Sequence, residues 1–411
     1  MATANTDTLR FIAEHRNDDV RRLALEAHRH PTVDMPFALS QIAGWQTART
    51  KLPEWAEKPS IIYPRHLSLE QCSSAFTAHY KASVVERLIA SGALDGGSMA
   101  DLTGGFGVDF SCLARLFGTA TYVETQQQLC NIAENNFHQL GLDNAEIVCG
   151  DGESMVSSMK AQDFVYLDPA RRDSNGARTY AIEDCTPNVK ALNSLLLQKA
   201  GVVMVKLSPM LDWRKAVAEL HGVSEVHIVS ADNECKELLL VMTRQATPED
   251  AVRVVCVNNS QSVSYIVGEE KQSDAVLAAP LSQMADSAEA AQGLFLFEPN
   301  ASLMKAGCFA LICQRYGVSK VGKNSNLFVS PDETAGFPGR RFAVEAVTTL
   351  NRKELKRSLQ GVDCANVAVR NFPLTVQELR KRLHLKDGGT VYIFATTDSA
   401  GRHLLFRCSK L

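Results

Sequence analysis

The chain has no CxxC pair, no histidine at zinc-finger spacing and no apolar run of about 18 residues, the length a bilayer span needs. Each absence removes a class of protein. Without paired thiols or a Cys/His cluster, no metal site is expected. Eleven cysteines, scattered from Cys72 to Cys408, suit reduced thiols in a cytoplasm better than a disulfide framework. The start, MATANTDTLRFIAEH, lacks a basic stretch leading into an apolar one, so neither secretion nor a membrane location is expected. Nothing in the pattern specifies an oligomeric state.

What is present is a globular composition, 45% apolar and 22% charged, in 411 residues, enough for more than one domain at roughly 100–200 residues each. The net charge of −3 conceals an uneven distribution. Residues 301–411 hold 18 Lys and Arg against 8 Asp and Glu, a balance of +10, which leaves −13 on the rest. An acidic body with a basic end points to a polyanionic partner, or to no more than a basic surface.

Residues 1–90 read as a helical cap, since LRFIAEH, DVRRLALEAHRH and FALSQIAGWQTARTKL repeat apolar residues every three or four positions. Asp18 or Asp19 can cap the second helix, Pro64 marks a break, and Ser68 with Gln71 forms a candidate capping box. Residues 91–245 alternate β-type runs (98–103, 119–124, 145–150, 163–168, 201–208) with helical stretches, which predicts a parallel sheet covered on both faces. The runs at 224–230 and 236–243, joined by a short polar link, predict a closing antiparallel hairpin. Residues 246–294 read as a linker and accessory segment of low β-content, and 295–330 as a small module with one helix capped by Asn300. Residues 331–411 follow a β-α-β-α-β-β order of ferredoxin-like α+β character.

The chemistry concentrates in Asp101-Leu-Thr-Gly-Gly-Phe-Gly-Val-Asp109, between a strand and a helix. Gly104, Gly105 and Gly107 permit a tight turn and close approach of the backbone to a ligand. Acids then recur at strand ends. Glu124 is placed to accept ribose hydroxyls, Asp151 to accept from an adenine amine, and Asp168-Pro169 to point into the same crevice. GGFG does not supply the GxGxxG of dinucleotide-binding folds. Lys206 ends an apolar strand, where it could bind an anion, lower an acceptor's pKa or reach solvent. Arg171 and Arg172 could stack on a base or clamp a phosphate, or serve as loop charges. Thr77, Tyr80 and Lys81 read as ordinary helix residues.

These motifs resemble the class I S-adenosylmethionine-dependent methyltransferases over residues 80–245. The fold this implies is α/β, with a Rossmann-like class I methyltransferase sheet, a helical N-terminal cap and a C-terminal α+β ferredoxin/THUMP-like domain. The resemblance implies S-adenosyl-L-methionine as cofactor, held by Asp101, Thr103, Gly104, Gly105, Phe106, Gly107, Glu124, Asp151 and Asp168. It makes DPARR the fourth motif, with Asp168, Pro169, Arg171 and Lys206 as candidate catalytic residues. Two departures stand out: Thr103 occupies the first glycine place of acid-x-Gly-x-Gly-x-Gly, and the aromatic usual in the fourth motif of base-amine methylases is missing. The fifth strand ends without a cysteine nucleophile, which disfavours ring-carbon methylation. The C-terminal portion resembles the THUMP-like domains of RNA-modifying enzymes, preceded by a ferredoxin-like segment. Its Arg352, Lys353, Lys356 and Arg357, then Arg380, Lys381, Arg382 and Lys386, suit a phosphate backbone. The expectation is a cytoplasmic enzyme methylating a base in structured RNA, tRNA or rRNA. The alternatives are a small-molecule or protein methyltransferase, and a non-catalytic RNA-binding protein.

Overall fold

The computed structural model describes residues 5–64, 66–171, 182–273 and 293–411. They form two compact units, Met1–Val226 with Glu237–Thr247, and His227–Lys236 with Pro248–Leu411.

The first unit begins with helices α1 (Thr6–His15), α2 (Val20–Leu25), α3 (Met35–Lys51), α4 (Pro53–Ala56), α5 (His66–Gln71) and α6 (Ala75–Ala90). Side chains of Asn5, Asp19, Asp34 and Ser74 cap α1, α2, α3 and α6 by accepting free N–H groups of the first turn. Ser68, the expected cap, lies inside α5; the capping serine is Ser74, where the chain re-enters a helix after a break. The sheet that follows contains β1 (Ser98–Asp101), β2 (Thr119–Glu124), β3 (Ala145–Cys149), β4 (Gln162–Leu167) and β7 (Ala200–Leu207), all parallel. A two-stranded ribbon, β5 (Ala170–Arg171) with β6 (Cys185–Thr186), lies between β4 and β7 in the chain. Helices α7 (Val108–Leu113), α8 (Gln127–Gln139), α9 (Gly152–Ser158), α10 (Val189–Lys199) and α11 (Trp213–Glu219) connect the strands.

Strands β8 (Val223–Ala231) and β9 (Glu234–Thr243) form the expected hairpin. Its Asp232-Asn233 turn has positive φ at both residues, the requirement of a two-residue hairpin turn. Within this unit the order is β8-β9-β7-β4-β1-β2-β3, with β9 antiparallel to β7. The order reverses beside β1, between β4 and β2. Open α/β sheets bind ligands outside the carboxyl ends of the strands at such a switch point.

The helical cap has a defined task. Ala48, Leu52, Trp55, Ile61, Tyr63 and Leu69 form one core cluster with Phe106 and Val108 of the glycine loop and Leu129 and Ile132 of α8. Buried polar groups fix the seam: Asn136 exchanges two 2.9 Å hydrogen bonds with the Ile62 backbone, and Gln41 does the same with Tyr63 at 2.8 and 2.9 Å.

From Pro248 on, the second unit continues with a hairpin, β10 (Arg253–Asn258) and β11 (Gln261–Ile266), then α12 (Val267–Lys271). This hairpin falls where low β-content was expected; β11 buries only alternate residues, so its apolar content is half that of a core strand. The later part of the expected 246–294 linker and accessory segment, residues 274–292, lies outside the described residues. Next come β12 (Phe295–Pro299), α13 (Ala301–Ala306), α14 (Phe309–Tyr316), β13 (Ser319–Lys320) and β14 (Phe328–Ser330). The single helix expected here is two, parted at Gly307, whose φ of +75° ends α13. Asn300 caps the first. The remainder, β15 (Gly339–Thr348), α15 (Arg352–Ser358), β16 (Asn366–Val369), α16 (Val376–Leu383), β17 (Val391–Thr397) and β18 (His403–Lys410), keeps the predicted order. One sheet, β13-β14-β12-β15-β18-β17-β16, incorporates both stretches, because β12 pairs antiparallel with β15 over five residues.

Candidate active site

At the carboxyl end of β1, Asp101 is 1% exposed. Its Oδ1 accepts from the Thr103 N–H at 2.9 Å and the Thr103 hydroxyl at 3.3 Å. Burial pushes the Asp101 carboxyl up to about 8; the two bonds from Thr103 oppose this, while the charges of Asp109 and Asp168 add to it. No cation is paired with it among the described residues, so an acid this buried is a ready partner for one.

The glycine loop is held from the neighbouring strand. Glu124 Oε2 accepts from Gly105 N–H at 2.9 Å, its Oε1 accepts from Gln126 N–H at 2.8 Å, and the Tyr122 hydroxyl donates to the Gly105 carbonyl at 2.6 Å. The three glycines serve different ends. Gly105, at φ +59°, would set a notional Cβ in no more than ordinary contact, 3.7 Å from the Thr103 carbonyl oxygen, so its left-handed backbone rather than crowding calls for glycine. A Cβ on Gly104 would lie 2.2 Å from the Tyr122 ring and one on Gly107 2.7 Å from Phe137, so these two make room for core aromatics rather than for a ligand. Phe106, expected at the cofactor, turns its ring into the core at 4.7 Å from Trp55, because a large apolar side chain gains more there than beside a polar pocket. Only its backbone belongs to the loop.

Asp151 caps α9: its Oδ2 accepts from both the N–H and the hydroxyl of Ser154 at 2.8 Å, and the N–H bonds hold the carboxyl below its usual range. Asp168 stands past the end of β4, half-buried, with Pro169 buried beside it. Its N–H donates to the Thr103 hydroxyl at 2.6 Å, and its Oδ2 pairs with Lys206 Nζ at 2.6 Å. Lys206 is therefore neither a free anion binder nor a solvent-seeking side chain. Burial disfavours its charge, but Asp168, Asp109 and Glu237 outweigh this and hold it an ammonium. Arg171 contributes backbone to β5; its side chain, and all of Arg172, lie outside the described residues.

Behind this pair sits a buried ionic cluster. Lys81, fully buried on α6, lies 3.2 Å from Asp109 Oδ1 and 2.7 and 2.9 Å from the two oxygens of Glu237, at the start of β9. Asp109 Oδ2 also accepts from the hydroxyls of Ser73 and Tyr166, each at 2.8 Å. Burial alone would raise Asp109, but Lys81 and Lys206 bring it below the usual carboxylate range; Glu237 stays above its own because burial prevails. Lys81, Asp109 and Glu237 were missed as site residues. The signal was available: Thr77, Ala78, Lys81, Val84, Val85 and Leu88 form one buried stripe, so a lysine stands in a core position.

Over the whole of both chains, the protein shares 30% identity and a TM-score of 0.84 with the crystal structure of a presumed methyltransferase from Porphyromonas gingivalis W83. The chain belongs to this methyltransferase family. Family models match the enzyme in three places: protein-L-isoaspartate(D-aspartate) O-methyltransferase at residues 52–172, a ferredoxin-like domain at 295–338 and a THUMP domain-like module at 339–410. Two other solved structures match less of it. An rRNA methylase from Streptococcus thermophilus is 16% identical over 39% of this chain and 95% of its own, at a TM-score of 0.31. The tRNA (uracil-54, C5)-methyltransferase of Pyrococcus abyssi, in complex with S-adenosyl-L-homocysteine, is 18% identical over 42% and 39%, at 0.31. Comparison with curated proteins finds no match.

The methyl donor of the enzyme is S-adenosylmethionine. The residues present fit it chemically: Asp101 is a buried acid with no cation paired to it among the described residues, and Glu124, a carboxylate with about four acceptor sites of which Gly105, Gln126 and Thr125 fill three, can take a further hydroxyl donor. No helix among the described residues is long and apolar enough to cross a membrane, and no metal-binding group is found among them.

Proposed function

We propose that the enzyme methylates a base nitrogen in structured RNA, tRNA or rRNA, recruited by its basic C-terminal module. The observation carrying this reading is a groove of about 1000 Å³ between α15 and α16, lined by Arg352, Lys353, Lys356, Arg357, Arg382 and His384 with no acidic side chain. Leu350, Leu355, Leu359 and Leu383 also line it, so it offers apolar surface as well as cations. The second basic row divides: Arg382 joins the groove, whereas Arg380 is paired to Asp387 at 2.7 Å. Such a surface takes a phosphate backbone by counterion release.

In this reading Asp101 holds the donor's ammonium, Glu124 its ribose and Asp151 its adenine amine, with the backbone of Thr103 to Gly107 lining the pocket. S-adenosylmethionine supplies an electrophilic methyl group. Asp168, pinned by Lys206 on one oxygen, uses the other to orient an N–H of the acceptor, with Pro169 and Arg171 beside the base. Proximity and exclusion of water supply most of the rate. The isoaspartate-methyltransferase match covers α4 through β5, the donor-binding half, and so leaves the acceptor open. A cytoplasmic setting accords with eleven cysteines, none of them in a disulfide.

The test is transfer from labelled S-adenosylmethionine to total RNA of cells lacking the enzyme, followed by nucleoside mass spectrometry. A new methylated base is expected. Transfer to protein or small molecules alone would replace the acceptor, and no transfer to any fraction would favour the RNA-binding alternative.

A further inference from the structure

The first glycine place of the donor loop holds Thr103, and its hydroxyl does something no glycine could. A hydroxyl has one proton to donate and two lone pairs to accept with. Here the proton is directed at Asp101 Oδ1, 3.3 Å away, and a lone pair takes the Asp168 N–H at 2.6 Å. The Thr103 N–H bonds the same Asp101 oxygen at 2.9 Å, which fixes the residue's backbone. Thr103 thus joins the acid at the end of β1 to the main chain just past the end of β4. The side chain of Asp168 is meanwhile fixed by Lys206 at 2.6 Å, so both its ends are anchored.

We propose that Thr103 is a positioning residue that couples donor occupancy to the acceptor side, its hydroxyl passing the state of Asp101 to the main chain at Asp168. The inference rests on assigning Asp101 to the donor. With burial lifting its carboxyl to about 8, Asp101 is mainly protonated near neutral pH. The groups facing it are Asp109 and Asp168, both of which disfavour its charge. An arriving ammonium reverses this, and the proton leaves to solvent. The resulting carboxylate is a stronger acceptor for the Thr103 hydroxyl, because a hydrogen bond to an ionised group is about twice as strong. A hydroxyl that donates more strongly also accepts more strongly, so the bond from Asp168 N–H tightens. The acceptor-orienting carboxylate is then most firmly placed when the donor is present.

S-adenosylhomocysteine, which keeps the ammonium and lacks the reactive methyl, is the probe. Its binding is followed by calorimetry, and hydrogen exchange is resolved at the Asp168 amide, a readout independent of any RNA substrate. In the wild type the probe should slow exchange at Asp168 at least tenfold. In Thr103→Val the probe should bind within about tenfold of wild type while exchange at Asp168 stays fast and unresponsive. Thr103→Ser, which keeps the hydroxyl, should restore the response. Probe-induced protection at Asp168 persisting in Thr103→Val would overturn the proposal, as would a folded Thr103→Ser variant that binds the probe without protection. If Asp101→Asn binds the probe as tightly as wild type, the donor assignment itself is wrong, and the coupling falls with it. Failure to find an RNA acceptor would leave all these outcomes readable.

Discussion

Asp101 makes stability depend on pH through a single side chain. Its folded-state pKa lies above the unfolded value near 4, so the native state retains a proton that the unfolded chain releases. The stability this contributes is fully present below about pH 4 and is lost as pH rises toward about 8. Asp101→Asn removes the titration. Its melting temperature should match wild type near pH 4 and exceed it at pH 9, by an amount corresponding to at least ~2 kcal/mol, while affinity for S-adenosylhomocysteine falls tenfold or more. Scanning fluorimetry across pH and calorimetry at pH 7 check the two halves. Gly104→Ala should act oppositely to a ligand-pocket mutation: with its Cβ against Tyr122, it should cost ~1–3 kcal/mol in urea unfolding through overpacking. At this scale the positions of several side chains were readable from the sequence, and their partners were not. Asp101, Glu124 and Asp168 were legible because acids at successive strand ends form a pattern. Lys81 could have been read as a cation in a buried helical stripe, but its pairing could not, because Glu237 lies 156 residues away.

Between elements, the buried cluster ties α6 to α7 and β9, and its energetics should show this. Removing one partner of a buried ion pair typically costs 3–5 kcal/mol, whereas replacing both by apolar groups is often close to neutral. Lys81→Met should therefore destabilise the first unit by ~3 kcal/mol or more, and Lys81→Met with Glu237→Leu should recover most of the loss. A double-mutant cycle in chemical denaturation measures the difference. The parallel strands were easy to foresee, since β4 and β7, covered on both faces, read as continuous apolar runs. The β10-β11 hairpin was not foreseen: β11, alternating across six residues, resembles a polar loop, although Val254–Val257 of β10 is a continuous buried apolar run. Ser68 and Ser74 illustrate the limits of capping signals: both precede helical residues, and only the break in the backbone decides between them.

Across the whole molecule, the net charge of −3 would have argued against a nucleic-acid partner; only its distribution along the chain suggested one. The groove supplies what charge counting could not, since it distinguishes Arg382, which lines it, from Arg380, which is neutralised locally. Binding to tRNA should weaken with salt, and replacing Lys353 and Arg382 together by Gln should reduce the slope of log affinity against log salt by about 2, roughly equally for all RNA sequences. Unchanged slopes would place the RNA elsewhere. Family boundaries also cross the structure at a telling point. The ferredoxin-like match ends at 338 and the THUMP-like match begins at 339, yet β12 and β15, on either side of that seam, are hydrogen-bonded neighbours. Glu298 of β12, 2% exposed, additionally pairs with both Arg340 and Arg370.

That shared sheet means the seam between the two matches is a boundary of ancestry but not of mechanics. A gene cut at 338 would leave β15 as a bare edge, ready to recruit a strand from another molecule, and an acid in β12 without its arginines. The two modules should accordingly melt in one step and be inherited, swapped or lost together, so the basic helices α15 and α16 cannot be transplanted without the small segment that precedes them.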